Sequence, residues 1–249
     1  MKTVIFLGSK PIGYECLQHL FSRQDSLGIK VTAVFTNDNT RFDKNKSVRD
    51  LATSFGVPVY EDIAALETMA PVDVLISVQY HQILKKKHIQ KAKQLAVNLH
   101  MAPLPEYRGC NQFSFAILDG AKEFGTTLHV MNEDIDGGDI LFERRFPIPA
   151  DVFVKELYQK TFEESLILFQ EHIEDIIRGE YQPIAQSDRI PTHGTSIHYR
   201  NEVEQIKCIN WRWPKEKIER HIRATSMPGF PPPYTYIAGK KIEFHLKED

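Results

Sequence analysis

Cysteine is scarce in this chain of 249 residues: Cys16, Cys110 and Cys208 lie far apart, and none belongs to a CxxC pair. That spacing excludes a disulfide framework or a structural zinc site and fits reduced thiols in a cytoplasmic protein. Long apolar runs are missing too. None approaches the roughly 18 residues that suggest a membrane span. The start, "MKTVIFLGSK", lacks the longer apolar core and small-residue cleavage site of a signal peptide. We read it as a buried first strand.

A surplus of either charge is also absent. Lys and Arg number 31 against 33 Asp and Glu, leaving a formal net charge of -2. A general nucleic-acid binder needs a concentrated positive field, so none is expected, although a small phosphorylated ligand remains open. The residues His81, His88, His100 and His129 form no HExxH or comparable cluster, which argues against a metal hydrolase. "GSKPIG" follows a strand and opens a helix, yet it lacks the middle glycine that lets a pyrophosphate approach the backbone. Asp38, the candidate ribose acid, falls in a polar loop. A nicotinamide-dependent oxidoreductase is therefore not expected.

What is present is an alternation. Thr3–Gly8, Lys30–Asn37, Val57–Tyr60, Val72–Val78 and Leu95–His100 read as buried strands, with helical patterns such as "YECLQHLF" and "SVRDLATSFG" between them. Apolar runs alternating with helices predict an α/β, Rossmann-like, mainly parallel sheet with helices on both faces. "TTLHVM" and "DILFERRFPI" predict two further strands around the acidic loop "NEDIDGG". A long helix opens at Asp151, with Val154, Leu157, Thr161, Ser165, Phe169, Ile173 and Ile176 on its inner face and Gly179 as its C-cap. From about Ile184 the texture becomes polar and turn-rich. "KCINW" reads as a strand, "PKEKIERHIRAT" as a helix and "YTYI-AG-KKIEFHL" as a hairpin. Residues 1–183 are thus expected as the main domain and 184–249 as a small C-terminal subdomain. Its Tyr- and Phe-rich hairpin invites pairing of two subunits as a homodimer.

The chemistry is expected at the end of the fifth of these strands. In "NLHMAPLPEYRG", Asn98 and His100 share a face because strand side chains alternate with a period of two. Ligands of parallel sheets bind at the carboxyl ends of the strands. The "IDGGDI" loop offers Asp136 and Asp139 to the same edge. A carboxylate, an imidazole and an amide suit acyl transfer to an amine. The imidazole takes a proton, the carboxylate orients it and the amide NH2 stabilises a developing oxyanion. The plainer reading, a hydrogen-bonded strand histidine beside an ordinary turn, stays open on spacing alone.

"NLHMAPLPEYRG" together with "GTTLHVMNEDIDGGDIL" resembles the two signature segments of the folate-dependent formyltransferases. That family includes methionyl-tRNA formyltransferase, glycinamide ribonucleotide formyltransferase and the sugar N-formyltransferases. "IFLGSKPIGYECLQHL" is similar to the family's opening unit, and "INW…KIERHIRA…PGFPPPYTYIAGKKI" to the segment closing its catalytic region. The resemblance implies a catalytic set of Asn98, His100 and Asp136, with Asp136 preferred to Asp139 because it directly precedes the Gly-Gly pair. It implies 10-formyltetrahydrofolate as formyl donor, a primary amine as acceptor and no metal. Tyr80, His129 and Asp136 are expected on the folate side, although His129 is equally read as a satisfied strand histidine.

Among the branches, "SVQYHQILKKK" and "EYRG" look most like the sugar enzymes. Their acceptor is a nucleotide-linked amino-deoxysugar, here expected to be dTDP-linked and destined for O-antigen or other surface glycans. A methionyl-tRNA formyltransferase-like enzyme is the alternative; that branch usually carries a further basic C-terminal domain, and the sequence stops at Asp249. Lys10 and Arg108 are candidates for phosphate contacts, each with a plainer reading, a solvated loop charge for Lys10 and a structural salt bridge for Arg108. Tyr107 belongs to the loop expected to line the acceptor site. Trp211, with Trp213, Tyr234 and Tyr236, is a candidate to stack on thymine or else part of a small core.

Overall fold

A computed structural model of the chain describes residues 1–37 and 45–245; Asp38 and Leu246 lie outside them. Val4, Ile5, Phe6 and Leu7 point alternately to two faces, and all are buried, so both faces of their strand must be covered. They form the centre of β1 (Lys2–Gly8). The chain continues through α1 (Lys10–Leu27), β2 (Ile29–Phe35), α2 (Val48–Ser54) and the short β3 (Val59–Tyr60). Next come α3 (Ala64–Thr68), β4 (Val72–Val78), α4 (Lys86–Ile89) and β5 (Ala92–His100). Beyond a loop follow β6 (Arg108–Gly109), α5 (Gln112–Asp119), β7 (Glu123–Val130) and β8 (Ile140–Pro147).

The main sheet has the order β3-β2-β1-β4-β5-β7-β8. Its first five strands are parallel, whereas β7 and β8 join antiparallel. The chain runs outward from β1 to β3 and then crosses back to β4, so the strand order reverses between β1 and β4. Such a reversal opens a crevice at the carboxyl edge, because the connections leave to opposite sides. Lys10 and Gln79 follow those two strands.

The long helix α6 (Val154–Arg178) begins at Val154, three residues later than Asp151. The Glu156 carboxylate accepts the Phe153 N–H at 2.8 Å, which satisfies a donor left over at the helix start. Leu157, Thr161, Ser165, Phe169, Ile173 and Ile176 are buried along its inner face, and Gly179 ends it with φ 81°.

The polar tract is more regular than its composition suggests. Ile184 exchanges both backbone hydrogen bonds with Ile140, and α7 (Gln186–His193) and β9 (Ile197–His198) follow. The short β9 pairs in parallel with β6. Its hydrogen bonds go to loops of the main sheet, so its polarity served neighbours remote in sequence. The stretch "KCINW" is not a strand, which corrects the expectation. Lys207 closes α8 (Glu202–Lys207), and Cys208 makes one isolated bridge to Tyr234. The Asn210 side chain then accepts the Arg212 N–H at 2.9 Å and turns the chain. The last elements are α9 (Lys215–Thr225) and the hairpin β10 (Tyr234–Ile237) with β11 (Lys240–Glu243). Among the described residues no helix is long and apolar enough to cross a membrane.

Candidate active site

The register of β5 decides which groups meet. On one side β4 ends with Val78 opposite Leu99, leaving His100 one residue past its parallel neighbour, at the carboxyl edge. On the other side β7 places His129 opposite Asn98 and Thr127 opposite His100. Period-two alternation then puts Asn98, His100 and His129 on one face. The exit of the strand is pinned by two threonines. Thr126 Oγ1 donates to the His100 carbonyl at 3.0 Å, and Thr127 Oγ1 to that of Ala102 at 2.9 Å.

Each imidazole has one nitrogen tied to the backbone. His100 Nε2 donates to the Tyr107 carbonyl at 2.7 Å, and His129 Nδ1 to that of Val130 at 2.9 Å. The free nitrogens therefore face inward, His100 Nδ1 lying 3.6 Å from Asp136 Oδ2 and His129 Nε2 3.6 Å from Oδ1. At that separation the contacts are charge pairs rather than direct hydrogen bonds. The direct bonds around them are Gly109 N–H to Asp136 Oδ2 at 2.9 Å and Asn98 Nδ2 to His129 Nε2 at 3.1 Å. Burial works to raise the Asp136 carboxyl. The adjacent His100, His129 and the Gly109 N–H outweigh it, holding Asp136 well below the usual carboxylate range. The carboxylate is thus a fixed negative charge between two rings, able to stabilise a positive charge on His100, while His129 Nε2 accepts the Asn98 N–H.

Close backbone approaches shape this pocket. A Cβ on Gly138 would lie 1.9 Å from the Val130 carbonyl, and one on Gly109, whose φ is +84°, 2.3 Å from that of His198. Neither position tolerates a side chain. Arg108 Nε donates to the Ile135 carbonyl at 2.8 Å, so this guanidinium braces the aspartate loop. Tyr107 turns its ring inward against Phe124, and its backbone carbonyl is the part that touches His100. The loop between His100 and Arg108, which contains a cis Leu104–Pro105 bond, is anchored where Arg145 takes Glu106 in a two-point grip at 2.7 and 3.1 Å.

Residues 1–173 match the family model described as formyl transferase. The chain belongs to that family. Relatives of similar sequence include the methionyl-tRNA formyltransferases of Listeria innocua, 28% identical, and Halalkalibacterium halodurans, 29% identical, each match covering 98% of this chain and 78% of the relative. Among solved structures, a sugar N-formyltransferase from a Shewanella species superposes with a TM-score of 0.79 at 20% identity, covering 100% of this chain and 98% of that one. An N-formyltransferase from Helicobacter canadensis, solved with folinic acid and dTDP-3-aminofucose, gives 0.78 at 23% identity, covering 97% and 86%. The fold is thus a formyltransferase fold, and the Asn98, His100 and Asp136 cluster lies at its carboxyl edge.

A second cluster occupies the crevice between β1 and β4. Lys10 and Gln79 both adopt left-handed backbone conformations, with φ of 63° and 50°, and Lys10 Nζ donates to Gln79 Oε1 at 2.8 Å. Burial pulls the Lys10 amine below its ordinary value; the charge of Arg200 adds to this, and Cys110 opposes it. Arg200 is brought here by the polar tract, where Asn111 Nδ2 donates to the carbonyls of Tyr199 and Arg200 at 2.9 and 3.4 Å. Beside it, burial pushes the Tyr80 hydroxyl up to about 12, helped by the charge of Asp62. The Tyr80 hydroxyl and His81 Nδ1 are buried without a hydrogen-bond partner in the protein. Trp211 lies elsewhere, half-exposed and edge-on to Phe244 at the hairpin.

Sequence reasoning missed Arg200 and Gln186, whose side chain reaches the aspartate loop. Both lie in a tract whose only signal was polarity without periodicity, and their partners are distant in sequence.

Proposed function

We propose that this formyltransferase moves a formyl group from 10-formyltetrahydrofolate to the amine of a nucleotide-linked amino-deoxysugar, dTDP-linked, for surface glycan synthesis. The observation that carries the reading is the buried Lys10 amine on Gln79 at the strand-order reversal, near enough to Arg200 to feel its charge. Two positive groups at one crevice suit a diphosphate, which offers charge-assisted hydrogen bonds to both. The dTDP-amino sugar bound by the Helicobacter canadensis enzyme supports the same chemistry. The orphaned Tyr80 hydroxyl and His81 nitrogen suit the polar edge of a folate, since buried polar groups require partners.

In this mechanism the acceptor amine attacks the formyl carbon in its neutral form. The carbonyl oxygen becomes an oxyanion, stabilised by the Asn98 amide and by His100 as an imidazolium. A new C–N bond forms as the bond to N10 of the folate breaks, and the proton lost by the acceptor nitrogen passes to N10. Asp136 holds the imidazolium charge throughout. Residues 1–183 carry the reacting side chains Asn98, His100 and Asp136. Residues 184–249 close the acceptor side and present the exposed Tyr236, Ile237 and Ile242 for a homodimer contact.

The test is an acceptor panel with 10-formyltetrahydrofolate: dTDP- and UDP-linked 3-amino and 4-amino sugars against charged initiator tRNA. Turnover of a dTDP-amino sugar is expected. Turnover of the tRNA alone transfers the assignment to the activity named for the relatives of similar sequence.

A further inference from the structure

Asp136 has a backbone that its side-chain chemistry alone does not explain. Its φ of +47° lies in the left-handed region, which an aspartate enters more readily than most residues but holds only where local contacts favour it. That conformation aims both carboxylate oxygens inward, one toward each histidine. A strained residue persists only where its surroundings over-determine it.

Arg108 holds the Ile135 carbonyl and Gly109 the carboxylate, but the carbonyls of the bend itself go to one side chain. Gln186 is buried, and its Nε2 donates to the carbonyls of both Asp136 and Gly138 at 2.7 Å. An amide NH2 has two protons, and here both go to loop carbonyls on either side of the Asp136–Gly138 bend. The bend is closed from the other side by Val130, whose carbonyl leaves no room for a Cβ at Gly138. Gln186 itself is fixed as the first residue of α7, directly after the Ile184–Ile140 bridge that sews the polar tract to β8.

We propose that Gln186 is a positioning residue that locks the left-handed backbone of Asp136 and thereby aims its carboxylate at His100 and His129. The inference rests on the catalytic role assigned above to Asp136. It makes the polar tract a working part of the formyl-transfer site.

The test compares Gln186→Leu, Asp136→Asn and the double variant. Gln186→Leu should lower kcat on the order of 10²-fold, the usual penalty for displacing a reacting group by an ångström. KM for donor and acceptor should stay near wild type. The double variant should be no slower than Asp136→Asn, because the glutamine acts through the aspartate. The Asp136 carboxyl, followed by ¹³C NMR, should titrate closer to the ordinary carboxylate range once Gln186 is replaced. If Gln186→Leu does not fold, Gln186→Met keeps the length without the N–H groups and carries the same expectation. In the unmutated protein the Gln186 side-chain amide protons should exchange slowly. Wild-type kcat in a folded Gln186 variant, additive losses in the double variant, or fast amide exchange would overturn the proposal. If Asp136→Asn itself keeps full turnover, it is the catalytic reading that fails.

Discussion

Asn98 and His129 stand opposite each other across the antiparallel β5–β7 pair, with the amide nitrogen 3.1 Å from the imidazole Nε2. The same Nε2 lies 3.6 Å from Asp136 Oδ1, so His129 stands between the carboxylate and the amide proposed above for the oxyanion. Replacing His129 by Phe removes one polar partner from each. We expect turnover to fall about 10-fold or more, the cost of one hydrogen bond to a charged group. The melting temperature should move little. Unchanged kcat in the variant would reduce His129 to a strand filler.

Asp136→Asn removes the fixed negative charge and should lower kcat by about 10²- to 10⁴-fold, the range for a positioned acid–base group. Folate binding, measured by fluorescence quenching, should survive. The pH dependence follows from its direction. A carboxyl depressed in the folded state contributes stability that is fully present above its unfolded value, about 3.9, and is lost as pH falls toward the folded value. Acid unfolding of the wild type below about pH 4 should therefore retain an Asp136 component that the variant lacks. Superimposable pH–stability curves would contradict this.

Lys10→Met and Arg200→Ala should each weaken dTDP binding by about 10-fold or more, the scale of one charge-assisted hydrogen bond. Because burial and Arg200 lower the Lys10 amine, that amine loses its charge earlier than an ordinary lysine as pH rises. Affinity for dTDP should begin to fall at a lower pH than an ordinary lysine would impose, and the fall should be shallower in Lys10→Met. Calorimetry across a pH series measures both. Equal slopes in wild type and variant would remove Lys10 from the phosphate site.

Arg145 holds Glu106 and Glu143, all three side chains largely buried. Arg145→Leu leaves Glu106 with His193 at 3.3 Å and Glu143 with Arg189 at 3.9 Å, and should destabilise the fold by up to about 3–5 kcal/mol. Urea unfolding reads that directly, and a change below about 1 kcal/mol would show the cluster to behave like a surface pair.

The hairpin exposes Tyr236, Ile237 and Ile242. If two copies meet there, Ile242→Glu should shift the protein to monomer in sedimentation velocity, since a buried unpaired charge opposes association. A wild type that is already monomeric at working concentration would remove the proposed contact.

The main sheet was legible along the chain. Strand runs such as Val4–Leu7 and the heptad-like spacing of α6 are local patterns, legible because each residue's burial follows from its neighbours along the chain. Asn98 and His100 were legible for the same reason, being two apart on one strand. The three-dimensional fold alone sets His129 opposite Asn98 and Arg108 against the aspartate loop. It also decided that Gln186 caps the carbonyls of a loop fifty residues before it. Polar contacts of this kind carry no periodicity. Their partners are fixed by strand register and chain crossing, which a local pattern does not encode.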